Sequence, residues 1–319
     1  MAKTITRWKT GLALTLMLST GVEAASLIVG DQSYSARTVM EAAGVLKDVP
    51  YDLEWKQFTA GSPVAEALNV GSLDVGLLGD SPALFMGALG APIKVIGVSR
   101  QNLDGVAIVV RKDSPIRTLA DLTGKKVAIW KGSFSQQLML TALDKAGVAR
   151  DAVDYRYLSA LDSSHALEGG SVDAIATWEP YVTQQERQGA RIIATAKGLI
   201  PAQSFIVAND RAIKDKRAQI SDFIQRLQAA RAWSVSDPQH NEHYANAWSA
   251  LTRADAQVAR RWFSRAQITV APITPDVVSG AQQTIDFFSD AGLTKRYPAA
   301  SVFDESFNSA LEKQTQASR

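Results

Sequence analysis

The chain has 319 residues, of which 46% are hydrophobic and 21% are charged, an ordinary globular composition with enough length for two domains. It contains no cysteine, which excludes disulfide bonds, thiolate metal sites, thiol nucleophiles and a lipid anchor on cysteine. The 34 Lys and Arg residues and 32 Asp and Glu residues give a net charge of +2, too even a balance for electrostatic binding of nucleic acid.

Residues 1–24 have the pattern of a cleavable signal peptide. Three cations lie within residues 3–9, and an apolar segment follows at 11–22. Small residues at Val22 and Ala24 predict cleavage after Ala24. The alternative, a membrane anchor, would need a longer apolar segment, because the hydrocarbon core is about 30 Å thick. We therefore expect an exported, periplasmic protein without an anchor. Removal of three cations and Glu23 brings the net charge to zero, so the charge indicates nothing about partners.

An internal duplication is the strongest pattern in the remaining chain. Residues 67–76 and 166–175 match at an offset of 99, and the segment beginning at Leu27 aligns with the one at Val127 at an offset of 100. Chance similarity is the alternative, but a near-constant offset in separate segments disfavours it. The identical pairs are Ala67/Ala166, Leu68/Leu167, Gly71/Gly170, Ser72/Ser171 and Asp74/Asp173.

Each copy is predicted to be a β-α-β-α-β unit. In the first copy, Ser62 is the expected N-cap of a helix with Pro63 in its first turn, and Gly71 ends that helix. Alternating strands and helices indicate mostly parallel sheets covered on both faces. The predicted elements are 27–30, 37–46, 53–58, 62–71 and 73–78, then 126–130, 136–146, 153–158, 164–168 and 172–177.

Two further strand patterns, at 105–111 and 204–208, are interpreted as crossings from one unit to the other and back. The helical patterns after the return crossing have no second sheet, so we expect them to pack on the first unit. The sequence thus predicts two lobes around a cleft. Residues 25–105 and 208–319 form lobe 1, and residues 106–207 form lobe 2. In such sheets ligands bind at the carboxyl ends of the strands.

Polar side chains follow four predicted strands, where each strand gives way to a helix. Such junctions suit an anion, because the first N–H groups of a helix are unpaired and its N-terminus is electropositive. Ordinary N-capping by the serines and core positions for the aromatic residues are the alternatives. The candidates are Gln32, Ser33, Asp80 and Ser81 in the first copy, and Gly132, Ser133, Ser135, Trp178, Glu179 and Tyr181 in the second.

Enzyme hypotheses have little support. The segment 79–82 resembles the start of an esterase family, but it lies far from the N-terminus and no histidine follows His243. His240 and His243 could face one metal ion at helical spacing, although a solvated helix face explains them better. No phosphate-binding glycine motif is present. An exported hydrolase therefore stays the alternative of another class.

The chain resembles the periplasmic solute-binding proteins of ABC importers, in the branch for aliphatic sulfonates, taurine and sulfate esters, with nitrate binders as relatives. The resemblance implies a two-lobed α/β fold of type II, a monomer without cofactor or metal, and a membrane permease as partner. A nitrate or other oxyanion binder and a sensor domain are alternatives. The segments that carry the resemblance are 66–76, 79–82, 121–128, 131–133, 172–174 and 178–181.

The same resemblance implies that Gly132, Ser133, Ser135, Trp178 and Glu179 face the ligand, with Gln32 and Ser81 opposite. Ser133 would act through both its hydroxyl and its backbone N–H. A sulfonate stays charged at biological pH and accepts such hydrogen bonds, and one arginine could add a charge-assisted bond. Arg265 is the candidate, with a surface position as the alternative. Asp80 and Glu179 would hold backbone N–H groups or an amino group such as that of taurine. Gln136 and Gln137 replace a His-Asn pair often found after this turn, so the resemblance does not specify the organic end of the ligand.

Overall fold

A computed structural model describes residues 26–317, with side chains to residue 312. The predicted signal peptide lies outside this range. Within it, no helix has both the length and the apolar character needed to cross a membrane.

The first copy of the duplication forms alternating strands and helices, as predicted. The helix around Pro63 begins at Gly61 with Ala60 as its N-cap, so the prediction of Ser62 as N-cap is wrong. The elements are β1 (Leu27–Gln32), α1 (Ser35–Ala42), β2 (Leu53–Phe58), α2 (Gly61–Asn69), β3 (Val75–Gly79), α3 (Asp80–Ala88) and β4 (Ile93–Arg100).

A strand at Val106–Val110 precedes the second copy, which repeats the order of the first and ends in a strand that the sequence did not predict. The elements are β5 (Val106–Val110), β6 (Lys126–Ile129), α4 (Phe134–Lys145), β7 (Asp154–Tyr157), α5 (Ala160–Glu168), β8 (Ala174–Trp178), α6 (Tyr181–Arg187) and β9 (Arg191–Thr195).

The C-terminal part is mainly helical and adds two strands. Its elements are β10 (Ser204–Asn209), α7 (Asp210–Asp215), α8 (Arg217–Ser236), α9 (Pro238–Thr252), α10 (Ala256–Ala266), β11 (Thr269–Ala271), α11 (Pro275–Asp290) and α12 (Asn308–Ala317).

The strands form two sheets, which confirms the predicted α/β architecture. One sheet has the order β11-β4-β10-β3-β1-β2 and the other β7-β6-β8-β5-β9. In each, the first three repeat strands are parallel, and one strand next to the third runs antiparallel: β10 beside β3 and β5 beside β8. We call the six-stranded sheet with its helices the first lobe and the five-stranded sheet with its helices the second lobe.

The strand pairing explains the repeated aspartate and corrects one alignment. The Asp74 carboxylate accepts the backbone N–H of Ile28 at 2.8 Å, and the Asp173 carboxylate accepts that of Lys126 at 2.9 Å. Each aspartate therefore fixes the start of the neighbouring strand. Because Val29 pairs with Val75 and Val127 with Ala174, Val29 is the structural equivalent of Val127. The sequence alignment at an offset of 100 matched Leu27 to Val127 instead, which is two residues out of register.

The C-terminal helices pack on the six-stranded sheet. On one face, Phe223 and Leu227 of α8 and Tyr244 of α9 join Val39 of α1 in one buried cluster. On the other face, Ile285 of α11 packs in a cluster with strands β3, β4 and β10. The chain crosses between the lobes at 101–105 and 196–203, so the interpretation of the strands at 105–111 and 204–208 as the crossings is wrong. β5 and β10 lie wholly within their sheets. The lobe boundaries at 105/106 and 207/208 stay a prediction.

Candidate functional site

A cavity of about 160 Å³ lies between the lobes. The carboxyl ends of four strands reach it, because Gln32, Gly79, Trp130 and Trp178 all line its wall. These strand ends are the strand-to-helix junctions that the duplication predicted to be equivalent in the two copies. Of the residues predicted from the sequence, the structure brings Gln32, Ser33, Ser133, Trp178 and Glu179 to the cavity wall.

The other predicted residues lie behind this wall: Asp80, Ser81, Gly132, Ser135, Tyr181 and Arg265 do not line it. Asp80 and Ser81 are fully buried. The Asp80 carboxylate accepts hydrogen bonds from the Ser81 hydroxyl at 3.0 Å, and from the Gln203 N–H and the Thr284 hydroxyl, each at 3.3 Å. It thus ties α3 to the return crossing and to α11. Burial raises the pKa of Asp80 to about 6.

The turn before α4 satisfies most of its own hydrogen bonds. The Ser133 hydroxyl donates to the Trp130 carbonyl at 2.7 Å and accepts the N–H of Ser135 at 3.2 Å, so it is the N-cap of α4. The Ser135 hydroxyl accepts the Trp130 N–H, and the Gly132 N–H donates to Gln136, both at 2.7 Å. Gly132 adopts a φ of 68°, which glycine tolerates best. Only Ser133 of the predicted turn residues reaches the cavity.

Glu179 and Arg265 bind each other across the two lobes. The Glu179 carboxylate is 2.9 Å from Nη1 of Arg265, and it accepts the Thr183 N–H at 3.0 Å and the Thr183 hydroxyl at 2.9 Å. Arg265 also contacts Glu186. Desolvation raises the pKa of Glu179, and the Arg265 charge opposes that shift. Arg265 is therefore a buried residue behind the cavity wall, with its charge paired to two carboxylates.

Arg231, which the sequence reasoning missed, supplies the positive charge of the cavity wall. Its side chain comes from α8 and only 5% of the residue is exposed. Its guanidinium donates to the Ser35 hydroxyl at 2.9 Å and to the Tyr244 hydroxyl at 3.1 Å. Within residues 26–312, no carboxylate lies within 4 Å of it. One face of α8 carries Phe223, Leu227 and Arg231 at spacings of four. A charged residue within this apolar helical pattern is the sequence signal that could have identified Arg231.

Asp31 lines the cavity close to Arg231, but its carboxylate is already occupied. It accepts N–H groups from Gln32 at 2.8 Å, Ala36 at 3.1 Å and Arg37 at 3.0 Å. Burial raises the pKa of Asp31, and these hydrogen bonds and the charge of Arg231 oppose the shift. Because Asp31 takes the first N–H groups of α1, this helix start cannot serve an anion as the sequence pattern predicted.

The start of α2 is the open helix end of the first lobe. Gly61 and Ser62 line the cavity, and the N-cap residue Ala60 has no side chain to cap the helix. In the described part of the chain, neither the two backbone N–H groups nor the Ser62 hydroxyl has a hydrogen-bond partner. These three donors, together with the Arg231 guanidinium, give the first lobe a donor surface for an anion.

Aromatic rings form the rest of the wall. Trp130, Phe134 and Trp178 come from the second lobe and Trp262 from the first. The centroids of Trp130 and Trp178 lie 6.3 Å apart, and Tyr181 packs edge-on behind Trp178 at 6.5 Å. The cavity thus pairs a donor surface with an apolar surface, which fits a ligand with one anionic and one apolar end.

Comparisons with known proteins identify the family and the fold of the chain. A model of the family described as NMT1/THI5 like matches residues 42–241. A protein of Escherichia coli (strain K12), named for binding aliphatic sulfonates, is 33% identical over 297 residues, covering 90% of this chain and 92% of its own. The alkanesulfonate-binding protein SsuA from Xanthomonas axonopodis pv. citri, solved bound to MOPS, has a TM-score of 0.81 at 28% identity, covering 89% of this chain and 99% of its own.

A more distant neighbour, the desulfurization enzyme DSZB, has a TM-score of 0.68 at 14% identity, covering 92% of this chain and 99% of its own, and shares the fold alone. The relatives of higher identity are binding proteins rather than enzymes. Because the model of the NMT1/THI5-like family matches more than half of the chain, the chain belongs to this family.

Proposed function

We propose that the protein is the periplasmic solute-binding component of an ABC importer and that it captures an organosulfur anion, most simply an alkanesulfonate. The observation that carries this proposal is the buried Arg231 guanidinium, which has no carboxylate partner among the described residues and lies on the wall of a cavity between two lobes. A buried cation that no carboxylate contacts directly is costly, and an anionic ligand would offset part of that cost.

The ligand would lie with its sulfonate at the donor surface and its organic end against the aromatic wall. The sulfonate oxygens would accept charge-assisted hydrogen bonds from Arg231 and further hydrogen bonds from Gly61 and Ser62. The backbone N–H of Ser133 would approach from the second lobe. The indole rings of Trp130 and Trp178 would contact the organic end. Gln32 would orient the ligand from the end of β1.

The apolar wall also separates this proposal from its nearest alternative. Nitrate has no apolar end, so burying it would leave the four aromatic rings without a partner. A sulfate ester or taurine would still present the same anionic group. None of the three histidines, His165, His240 and His243, lines the cavity, which favours a binding protein over a hydrolase.

Transport would require the two lobes to close over the ligand and to dock on a membrane permease. The crossings at 101–105 and 196–203 would act as the hinge between the two lobes. We also infer export with cleavage after Ala24 and a monomeric mature protein. N-terminal sequencing of the exported protein should begin at Ala25, and an intact N-terminus would contradict the inferred cleavage.

A ligand screen tests the proposed function. Any compound that binds the folded state raises its melting temperature. We expect short alkanesulfonates to stabilise the purified protein strongly, taurine and sulfate esters to do so less, and nitrate to have no effect. Stabilisation by nitrate or sulfate alone would overturn the proposed ligand class, and calorimetric titration would then give the affinity of each compound.

A further inference from the structure

Six charged residues in or next to α6 and α10 form ion pairs on one flank of the cavity. We call this set the interlobe cluster: Glu179, Glu186 and Arg187 of the second lobe, and Asp255, Arg261 and Arg265 of the first. We propose that the interlobe cluster is an electrostatic latch that holds the lobes closed over the ligand, with Arg265 as its central residue. The proposal rests on the proposed function, because a latch acts only if the lobes open.

Every ion pair of the cluster joins one lobe to the other. Arg265 contacts Glu179 at 2.9 Å and Glu186 as well, while Arg261 contacts Glu186 at 3.1 Å. Arg187 contacts Asp255, the N-cap residue of α10, at 2.6 Å. Separation of α6 from α10 would therefore break all four pairs together. The four ion pairs can form only when the lobes lie close together.

Glu179 connects the cluster to the cavity. It follows Trp178 directly, and both residues line the cavity wall, while the Glu179 carboxylate points to Arg265. The side chain of Glu179 is 5% exposed and that of Arg265 13% exposed. A ligand that draws the aromatic wall of the second lobe toward the first would bring these two charges into the same buried contact.

The energetics of buried ion pairs suit a reversible latch. When the lobes part, water solvates both partners, so the net gain from closing such a pair is small. Removal of one partner has a larger effect, because the closed form then buries an uncompensated charge. A single substitution at Arg265 leaves both Glu179 and Glu186 without this guanidinium, so it should shift the equilibrium toward the open form.

The opposite flank of the cavity has different contacts. There the Gln137 amide donates to the Thr284 hydroxyl at 3.3 Å, and the Arg150 guanidinium lies 5.1 Å from the centroid of the Phe287 ring. Within residues 26–312, no ion pair joins the lobes on that side. Salt should therefore weaken lobe closure through the interlobe cluster more than through the contacts of Gln137 and Arg150 with α11.

The test compares Arg265→Met with Arg260→Met. Arg260 lies on the same helix but pairs with Glu242 at 3.1 Å, within its own lobe, and provides a matched control. The ligand is propane-1-sulfonate, and stopped-flow measurement gives its association and dissociation rates in 0.1 M and 1 M KCl. We expect Arg265→Met to speed dissociation by about tenfold or more, with association changed less, since a latch acts on the closed complex.

Arg260→Met should dissociate like the wild type. In 1 M KCl the wild-type dissociation rate should rise, because the more exposed pairs Arg187–Asp255 and Arg261–Glu186 are screened. It should stay below the rate of Arg265→Met, since salt screens the buried Arg265–Glu179 pair less. Equal dissociation rates for Arg265→Met and the wild type would overturn the latch, as would an equal acceleration by Arg260→Met. If Arg265→Met fails to fold, Glu186→Gln provides the second variant, because Glu186 is outside the cavity wall and contacts both arginines.

Failure of the proposed function would give a different result. If the wild type binds no propane-1-sulfonate, the ligand class is wrong, and the latch is then tested by small-angle scattering of the protein without ligand. The radius of gyration should be larger for Arg265→Met than for the wild type and for Arg260→Met. Identical radii for all three proteins would overturn the latch in that case.

Discussion

The ring of Phe134, at the start of α4 in the second lobe, lies against the backbone of Gly79, at the end of β3 in the first. A Cβ atom added to Gly79 would come within 2.9 Å of Cζ of Phe134. The absence of a side chain at residue 79 therefore allows the two lobes to meet beside the cavity. Gly79 has an ordinary extended backbone, which any residue could adopt. The contact with Phe134, and not the backbone conformation, therefore explains the glycine at this position.

Gly79→Ala should weaken ligand binding by hindering lobe closure. We expect the affinity for propane-1-sulfonate to fall by about tenfold, which is 1.4 kcal/mol, with little change in the melting temperature of the ligand-free protein. Phe134→Leu provides the control background, because a shorter side chain removes the clash. Calorimetric titration of the four proteins in this cycle would contradict the account if Gly79→Ala cost the same affinity in both backgrounds.

Asp80 should make the protein less stable as the pH rises through the range 4 to 6. Burial raises its pKa to about 6, so the folded state binds a proton more tightly than the unfolded state. The stability that this proton provides is complete below the unfolded pKa and is lost above the folded one. The shift of about two pH units corresponds to about 3 kcal/mol.

Asp80→Asn carries no charge and should abolish this contribution. The free energy of unfolding of the variant relative to the wild type should rise between pH 4 and pH 7, as measured by urea denaturation. A difference that stays constant over this range would show that Asp80 does not titrate with a raised pKa in the folded protein.

Trp178→Ala should affect ligand affinity more than protein stability. Trp178 is half-buried and lines the cavity, whereas replacement of a fully buried core tryptophan by alanine costs roughly 3–5 kcal/mol of stability. We expect at least a tenfold loss of affinity for propane-1-sulfonate and a stability loss below that range. Trp248→Ala, in the buried cluster of the first lobe, should show the larger stability loss. Unchanged affinity with a core-sized stability loss would place Trp178 in the core.

Ser133→Ala should act mainly through the helix cap. The hydroxyl already donates to the Trp130 carbonyl and accepts the Ser135 N–H, so we expect a stability loss of about 1 kcal/mol. Ligand affinity should change by less than about threefold, because a backbone N–H offered to the sulfonate survives the substitution. A loss of tenfold or more in a calorimetric titration would show that the hydroxyl itself binds the ligand.

The sequence predicted the architecture well because the duplication repeats local signals. Asp74 and Asp173 matched at an offset of 99 because both bind the backbone of a neighbouring strand. The bounds of β2 were predicted to the residue, since a run of alternating apolar and polar residues defines it. The three-residue strand β11 was missed because it is short and gains its place only by pairing with β4.

The candidate site was predicted only in part, because its chemistry depends on contacts between distant residues. Arg231 lies about 200 residues from the Ser35 hydroxyl that it binds, and no local pattern reports that distance. The junction at Gln32 and Ser33 was predicted to be open to an anion, but the Asp31 carboxylate occupies the helix start there. Arg265 was identified as a candidate donor, yet its partners Glu179 and Glu186 belong to the other lobe.

Calorimetric titration of wild type and Arg231→Met with propane-1-sulfonate tests the central claim most directly. Loss of hydrogen bonds to a charged ligand oxygen costs about 1.5–3 kcal/mol, which is about a tenfold to a hundredfold loss of affinity. We expect the wild type to bind propane-1-sulfonate and Arg231→Met to bind it at least tenfold more weakly while still folded by circular dichroism. Equal affinity in the two folded proteins would contradict the assignment of the anionic group to Arg231.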